Sequence, residues 1–287
     1  MKLLIRNFVG VILAALVLST IWPDRLLAGD GTPVRMIGSK YMYHSVSDLA
    51  ARYMRAYPES NLVVMSDDSP GAWEAVLKGE AQVFMTLRPV EEEELAEAAD
   101  QGVRVEQRIV GKAAAALITH PDNPLNELSM EQVKKIFLGE YTDWKQLGGP
   151  NEPIVAMTRE ESTSGTEFLF REVVLQGLSV AQSTLRVFNH DIARTVWRQK
   201  GAIADARLSE AIRGQSKGMI KILSIRQREG SDAVAPSEGA VKDGTYPIQA
   251  PMFMCYVADA LSPETRRFVD YCVAEGAYPR LSRLGHQ

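Results

Sequence analysis

Two cysteines and four histidines in 287 residues leave little material for metal or redox chemistry. His44, His120, His190 and His286 are scattered, and no two stand at a ligand-like spacing, so no metal is expected. Neither sign of charge dominates: 32 Lys+Arg stand against 36 Asp+Glu, a net charge of −4. A surface for DNA, RNA or anionic lipid needs many basic side chains on one face, so this balance argues against those partners. Also missing are the Gly-Lys-Ser/Thr ending of a nucleotide loop and a Gly-x-Gly-x-x-Gly after a strand. No Gly-x-Ser-x-Gly elbow supports a serine hydrolase. Glu160 and Glu161 are adjacent, a spacing expected to turn their side chains apart unless the loop is unusual, which is poor support for a paired-carboxylate site. A secreted phosphoester hydrolase would need a metal cluster or a base beside Ser162 or Ser164, and the sequence offers neither. No cofactor and no enzymatic activity are expected.

After residue 28 no apolar run reaches spanning length; the one long run lies before it. Lys2 and Arg6 precede Phe8 to Trp22, broken only by Gly10, Ser19 and Thr20, and Leu26-Leu27-Ala28 offers a small residue before Gly29. This is the layout of a secretory signal peptide over residues 1–28, short for a membrane span; an uncleaved anchor is the alternative. No Cys follows the run, so the chain is not read as a lipoprotein. Removing residues 1–28, with Lys2, Arg6, Arg25 and Asp24, takes the net charge from −4 to −6. Export permits a disulfide between Cys255, in the strand-like run Met252 to Val257, and Cys272, in the helix-like run Thr265 to Ala274. Two buried free thiols are an equal reading.

The remaining chain alternates short apolar strands with amphipathic helices, which indicates an α/β protein with a mostly parallel sheet. Strands are expected at Val34–Ile37, Leu62–Met65, Ala81–Thr86, Ala113–Thr119, Ile154–Met157, Met219–Leu223 and Met252–Val257. Val46, Leu49, Ala50, Tyr53 and Met54 follow helical spacing, after a turn at Gly38-Ser39-Lys40. Ser129-Met130-Glu131-Gln132 is a capping-box start for a helix that Gly139 closes. Residues 263–276 form the last helix. The acidic run Glu91 to Glu94 reads as the solvated first turn of a helix, where negative charge suits the dipole.

Three strand–loop–helix junctions share one character: Gly38-Ser39-Lys40, Asp68-Ser69-Pro70-Gly71, and Arg159 to Thr166. Each puts hydroxyl residues and glycine at a helix start beyond a strand's C-terminal end, where open α/β sheets bind ligands. Free N–H groups and the helix dipole favour an anion there, and Ser and Thr add donors. Any one such loop is well explained as a helix cap. Three together, with Arg88 after one strand and Arg159 after another, favour an oxyanion site.

These residues also form a pattern. Ile136-Phe137-Leu138-Gly139 with Trp144 resembles the Ile-Phe-x-Gly-x-x-x-x-Trp stretch of phosphate-binding proteins of bacterial ABC importers. Arg159 to Thr166, with Phe168 and Phe170, is similar to that family's Arg-x-x-Ser-Ser-Gly-Thr loop and helix. Gly38-Ser39 resembles its first Gly-Ser-Thr loop, and Ser69, Gly79 and Arg88 hold the spacing of its second loop and Ser-Arg-Pro segment. Asp243 to Ile248 resembles its late Gly-x-Tyr-Pro-Ile strand. The resemblance implies a type II periplasmic-binding-protein fold, two lobes closing on an oxyanion in the cleft, phosphate first among the candidates. It implies lobe 1 over 31–115 plus 248–287 and lobe 2 over 116–247, with crossings near 113–116 and 245–250. Carried over by position, the contacts are Ser39, Lys40, Ser69, Thr86, Arg88, Arg159, Ser162, Ser164, Gly165 and Thr166. It implies a periplasmic monomer that serves the permease subunits of an ABC importer.

The departures from that pattern are local. Leu87 stands where the family has a small polar residue, Lys40 where it has Thr, and Asp68 and Pro70 flank Ser69 where Gly is usual. Pro70 removes one N–H donor, and Lys40 offers a charge-assisted contact. Asp67 or Asp68 is either an acceptor for the proton of hydrogen phosphate or a turn residue facing water. Leu87 and Pro70 favour an alternative reading, a binding-protein fold turned to sensing or envelope contacts with a degenerate anion site.

Overall fold

Glycine at position 38 sets how the first strand ends. Its backbone has φ +136°, and a Cβ there would lie 2.1 Å from the Met85 carbonyl oxygen, so only glycine lets the neighbouring strand approach. A computed structural model of the chain describes residues 33–67, 70–159, 165–187 and 192–276. In chain order it holds β1 (Val34–Gly38), α1 (Lys40–Ala56), β2 (Leu62–Ser66), α2 (Pro70–Leu77), β3 (Val83–Thr86) and α3 (Glu92–Asp100). β4 (Val105–Thr119), β5 (Glu127–Ser129), α4 (Met130–Phe137), β6 (Val155–Arg159), α5 (Gly165–Val173) and β7 (Leu185–Val187) follow. Then come α6 (Ile192–Trp197), β8 (Ala202–Arg207), α7 (Leu208–Ser216), β9 (Lys221–Ile222), β10 (Ser224–Arg226) and β11 (Ala233–Val234). The described chain closes with α8 (Glu238–Asp243), β12 (Gln249–Val257) and α9 (Pro263–Glu275).

A nine-stranded sheet runs β2-β1-β3-β12-β4-β8-β6-β7, with β9 also on β4, and β5, β10 and β11 form a small separate sheet. The expectation of a mostly parallel sheet needs correction. β2-β1-β3 and β8-β6-β7 are parallel, but β12 and β4 run antiparallel to each other and to β3 and β8. A chain that leaves one half of the sheet and later returns must cross in opposite directions, and these two strands make that crossing. β4 pairs with β12 from Val105 to Ala114 and with β8 from Ala115 to Thr119. Ala113 to Ala116 are fully buried at this change of partner.

β4 starts earlier than its apolar run suggested, because residues 105–112 present one face to solvent and carry Glu106, Arg108 and Lys112. α1 starts at Lys40, so Lys40 is a helical residue rather than part of a turn; Gly38 alone makes the bend and Ser39 is the N-cap. The buried stripe of α1 is Tyr41, Met42, Val46, Leu49, Ala50 and Tyr53. α4 has the capping box read from the sequence: Ser129 Oγ accepts from the Gln132 N–H, and Gln132 Oε1 accepts from the Ser129 N–H. Phe137 and Phe170 meet edge-on in the core, with ring centres 4.6 Å apart. Cys255 and Cys272 are both free and buried, and burial pushes the Cys255 thiol up to about 12. No described helix is long and apolar enough to cross a membrane.

Candidate functional site

α1 and α5 begin against each other. A Cβ on Gly165, the first residue of α5, would stand 2.3 Å from the Tyr41 backbone nitrogen, in the first turn of α1. Two helix N-termini carry partial positive charge of the same sign, and bringing them together favours a negative group between or beside them. Ser39 caps α1 without a side-chain capping bond and is 8% exposed. Its backbone N–H is occupied by the Met85 carbonyl at 2.8 Å, which leaves the hydroxyl as the group it offers.

Ser39 lines a cleft of about 320 Å³ together with Asp67, Thr86, Leu87 and Arg88. Trp73, Phe84, Met85 and Glu94 complete that wall, and Phe168 of α5 reaches in from the opposite half of the sheet. Thr86 is nearly buried at the end of β3, and its Oγ1 accepts from the Arg88 N–H at 3.2 Å. Arg88 lines the cleft already paired. Its two terminal nitrogens donate to both oxygens of Glu94, each at 2.7 Å, a fork-on-fork pair. That bond raises the guanidinium's affinity for its proton and holds the Glu94 carboxyl below its usual range. Glu91 to Glu94 therefore do more than begin α3: Glu91 and Glu94 complete a capping box, and Glu94 also restrains a candidate ligand residue.

Arg159, the last residue of β6, is 2% exposed and forms an ion pair with Glu210 of α7. Behind it lies Asp205 of β8, fully buried, with Oδ1 accepting from Thr158 Oγ1 at 2.6 Å. Loss of water outweighs that bond and the nearby Arg159 charge, so the Asp205 carboxyl is pushed up from its ordinary range. Arg207, where β8 ends, covers the Tyr41 ring at 5.4 Å, which ties the second half of the sheet to the start of α1. Burial, and next the Arg207 charge, lower the His44 pKa.

Of the residues singled out in the sequence, Ser39, Thr86 and Arg88 share one cleft, and Lys40 and Gly165 sit where the two helices meet. Arg159, at the end of β6, and Thr166, next to Gly165 in the first turn of α5, are both buried. Ser69, Ser162 and Ser164 lie outside the described residues. Sequence reasoning missed Glu210, Asp205 and Arg207, because the segment from α6 to α7 gave no strand signal. The Asp inside Ala202–Arg207 breaks the apolar run by which a buried strand is recognised. No group of three metal-ligating side chains occurs among the described residues.

A family model described as a PBP superfamily domain matches residues 27–275. The phosphate-binding protein PstS of Bacillus subtilis (strain 168) is 28% identical over 240 residues, which is 83% of this chain and 74% of that protein. The crystal structure of an ABC-type phosphate transport receptor from Vibrio cholerae superposes with a TM-score of 0.69 at 23% identity, covering 84% of this chain and 93% of that one. A putative phosphate ABC transporter substrate-binding protein from Clostridium perfringens, solved with bound phosphate, gives 0.64 at 22% identity, over 86% and 98%. At those identities the two structures speak for the fold, while the family model covers nearly all of the described residues. The chain belongs to the PBP superfamily, with the two-lobed α/β architecture of its structural neighbours.

Proposed function

We propose that this chain is a solute-binding protein that captures phosphate or a related oxyanion for an ABC importer. The meeting of two helix N-termini at Tyr41 and Gly165 carries the reading, since that arrangement favours a negative group held beside them. The hydroxyls of Ser39 and Thr86, the first turn of α5 at Gly165 and Thr166, and Lys40, Arg88 and Arg159 supply donors and charge; Ser69, Ser162 and Ser164 complete the set by position. Burying an oxyanion without those bonds would be costly, so nearly every oxygen lone pair takes a donor. Lobe 1 is residues 31–115 plus 248–287 and lobe 2 is 116–247, joined where β4 changes partner and where the chain enters β12. The chain is exported through the signal peptide at 1–28, acts in the periplasm as a monomer, and delivers its ligand to the importer's permease subunits.

Titration calorimetry on ligand-stripped protein tests this directly. Heat is expected with phosphate, and its absence with phosphate, arsenate, sulfate, molybdate and tungstate alike would overturn the transport reading. One observation favours a second reading, a sensor or envelope interaction protein with a degenerate site: Glu94 already neutralises Arg88. That reading predicts no heat with any of the five anions.

A further inference from the structure

The cleft is larger than a bare tetrahedral anion requires, and beside its polar residues it has an apolar wall. Trp73, Phe84 and Phe168 line it, with the Trp73 and Phe84 ring centres 5.6 Å apart at 56°. Leu87 adds apolar surface where the family resemblance predicts a small polar side chain. The polar lining is Ser39, Thr86, Asp67 and the Arg88–Glu94 pair. Ser39, more than nine-tenths buried, faces the cleft with no capping bond to engage its hydroxyl, and Thr86 stands beside it at the end of β3. An inorganic oxyanion has no apolar surface to lay against rings, so the aromatic wall would stay wet around it. Sites of about 300–1,000 Å³ that combine apolar walls with a few placed polar groups fit small organic molecules.

We propose that the cleft takes a phosphoryl group that carries an organic substituent, as in a phosphonate or a phosphate monoester. The phosphoryl oxygens meet Ser39, Thr86 and the helix N-termini, and the substituent lies against Trp73, Phe84 and Phe168. This deepens the oxyanion-capture reading and rests on it. Phe168 is 36% exposed and comes from the half of the sheet opposite Trp73, so an organic substituent bridges both halves and favours closure.

The test is titration calorimetry with three probes, inorganic phosphate, methylphosphonate and phenylphosphonate, on the parent chain, Phe168→Ala and Trp73→Ala. Phenylphosphonate is expected to bind about tenfold more tightly than phosphate, and each variant to reduce that preference about fivefold, the worth of one aromatic contact. Phe168→Ala changes an already exposed side chain, so it folds even where Trp73→Ala does not. Phosphate binding that equals or exceeds phenylphosphonate binding, or a preference untouched in Phe168→Ala, overturns the proposal and leaves oxyanion capture standing. Silence with all three probes overturns the proposal, and oxyanion capture falls with it only if arsenate, sulfate, molybdate and tungstate are silent too.

Discussion

The Tyr41 hydroxyl donates to the Ala114 carbonyl at 2.8 Å and accepts from the Ala114 N–H at 2.9 Å. Ala114 is the last β4 residue opposite β12, and the next residue already pairs with β8. One phenol thus satisfies both backbone groups where the strand changes partner, and it does so from the first turn of α1. Tyr246 holds the neighbouring Ala115 carbonyl at 2.9 Å. Tyr41→Phe leaves two buried backbone groups unmatched and is expected to cost about 1–3 kcal/mol. Urea unfolding checks it: a lower midpoint at unchanged slope is the expected result, and an unchanged midpoint contradicts it.

Gly165→Ala places a methyl group 2.3 Å from the Tyr41 nitrogen. The clash lies between the two helix starts, so the halves relieve it by parting rather than by unfolding. Overpacking of about 1–3 kcal/mol would then appear as phosphate affinity weakened about 5- to 150-fold, with little change in the unfolding temperature of the ligand-free chain. Titration calorimetry beside a thermal melt separates the two effects.

Much of this was legible before any coordinates. The capping box at Ser129 depends on neighbours in sequence, and short-range hydrogen bonding fixes it. The expectation for β4 erred at its exposed end, where Glu106, Arg108 and Lys112 mask a strand that β12 holds in place. β8 escaped notice because its buried carboxylate is supported by Thr158, forty-seven residues earlier in the chain. The grip of Glu94 on Arg88 was hidden for a different reason. An acidic first turn is so common in helices that nothing in the sequence marks this one as reaching back to the cleft.

Glu94→Gln removes the charge that occupies Arg88, and phosphate binding is expected to tighten about fivefold, in keeping with an ion pair worth up to about 1 kcal/mol. Because Arg88 lowers the Glu94 pKa, the pair's stabilisation is present above the ordinary carboxyl value of 4.5 and fades as pH falls through the lower folded value. Binding that weakens in the variant would show that Glu94 positions Arg88 for the ligand instead of competing with it.

Asp205 has the opposite sign. Its pKa is raised above the ordinary 3.8, so the folded chain holds that proton to higher pH than the unfolded chain. Stability is therefore lost as pH rises from about 3.8 toward the raised value. Asp205→Asn is expected to flatten this part of the pH profile. Guanidinium midpoints measured for both proteins at intervals between pH 4 and 8 give the comparison, and parallel profiles would contradict it.

The alanine run from 113 to 116 also bears on how this gene can change. β4 belongs to both halves of the sheet, so neither half is a segment that recombination can lift out whole. A single codon inserted between Ala114 and Ala115 would turn each following strand residue to the opposite face, from Ala115 to Thr119. Length variation among descendants of this sequence belongs in exposed turns such as Glu229-Gly230, where β4's register is untouched.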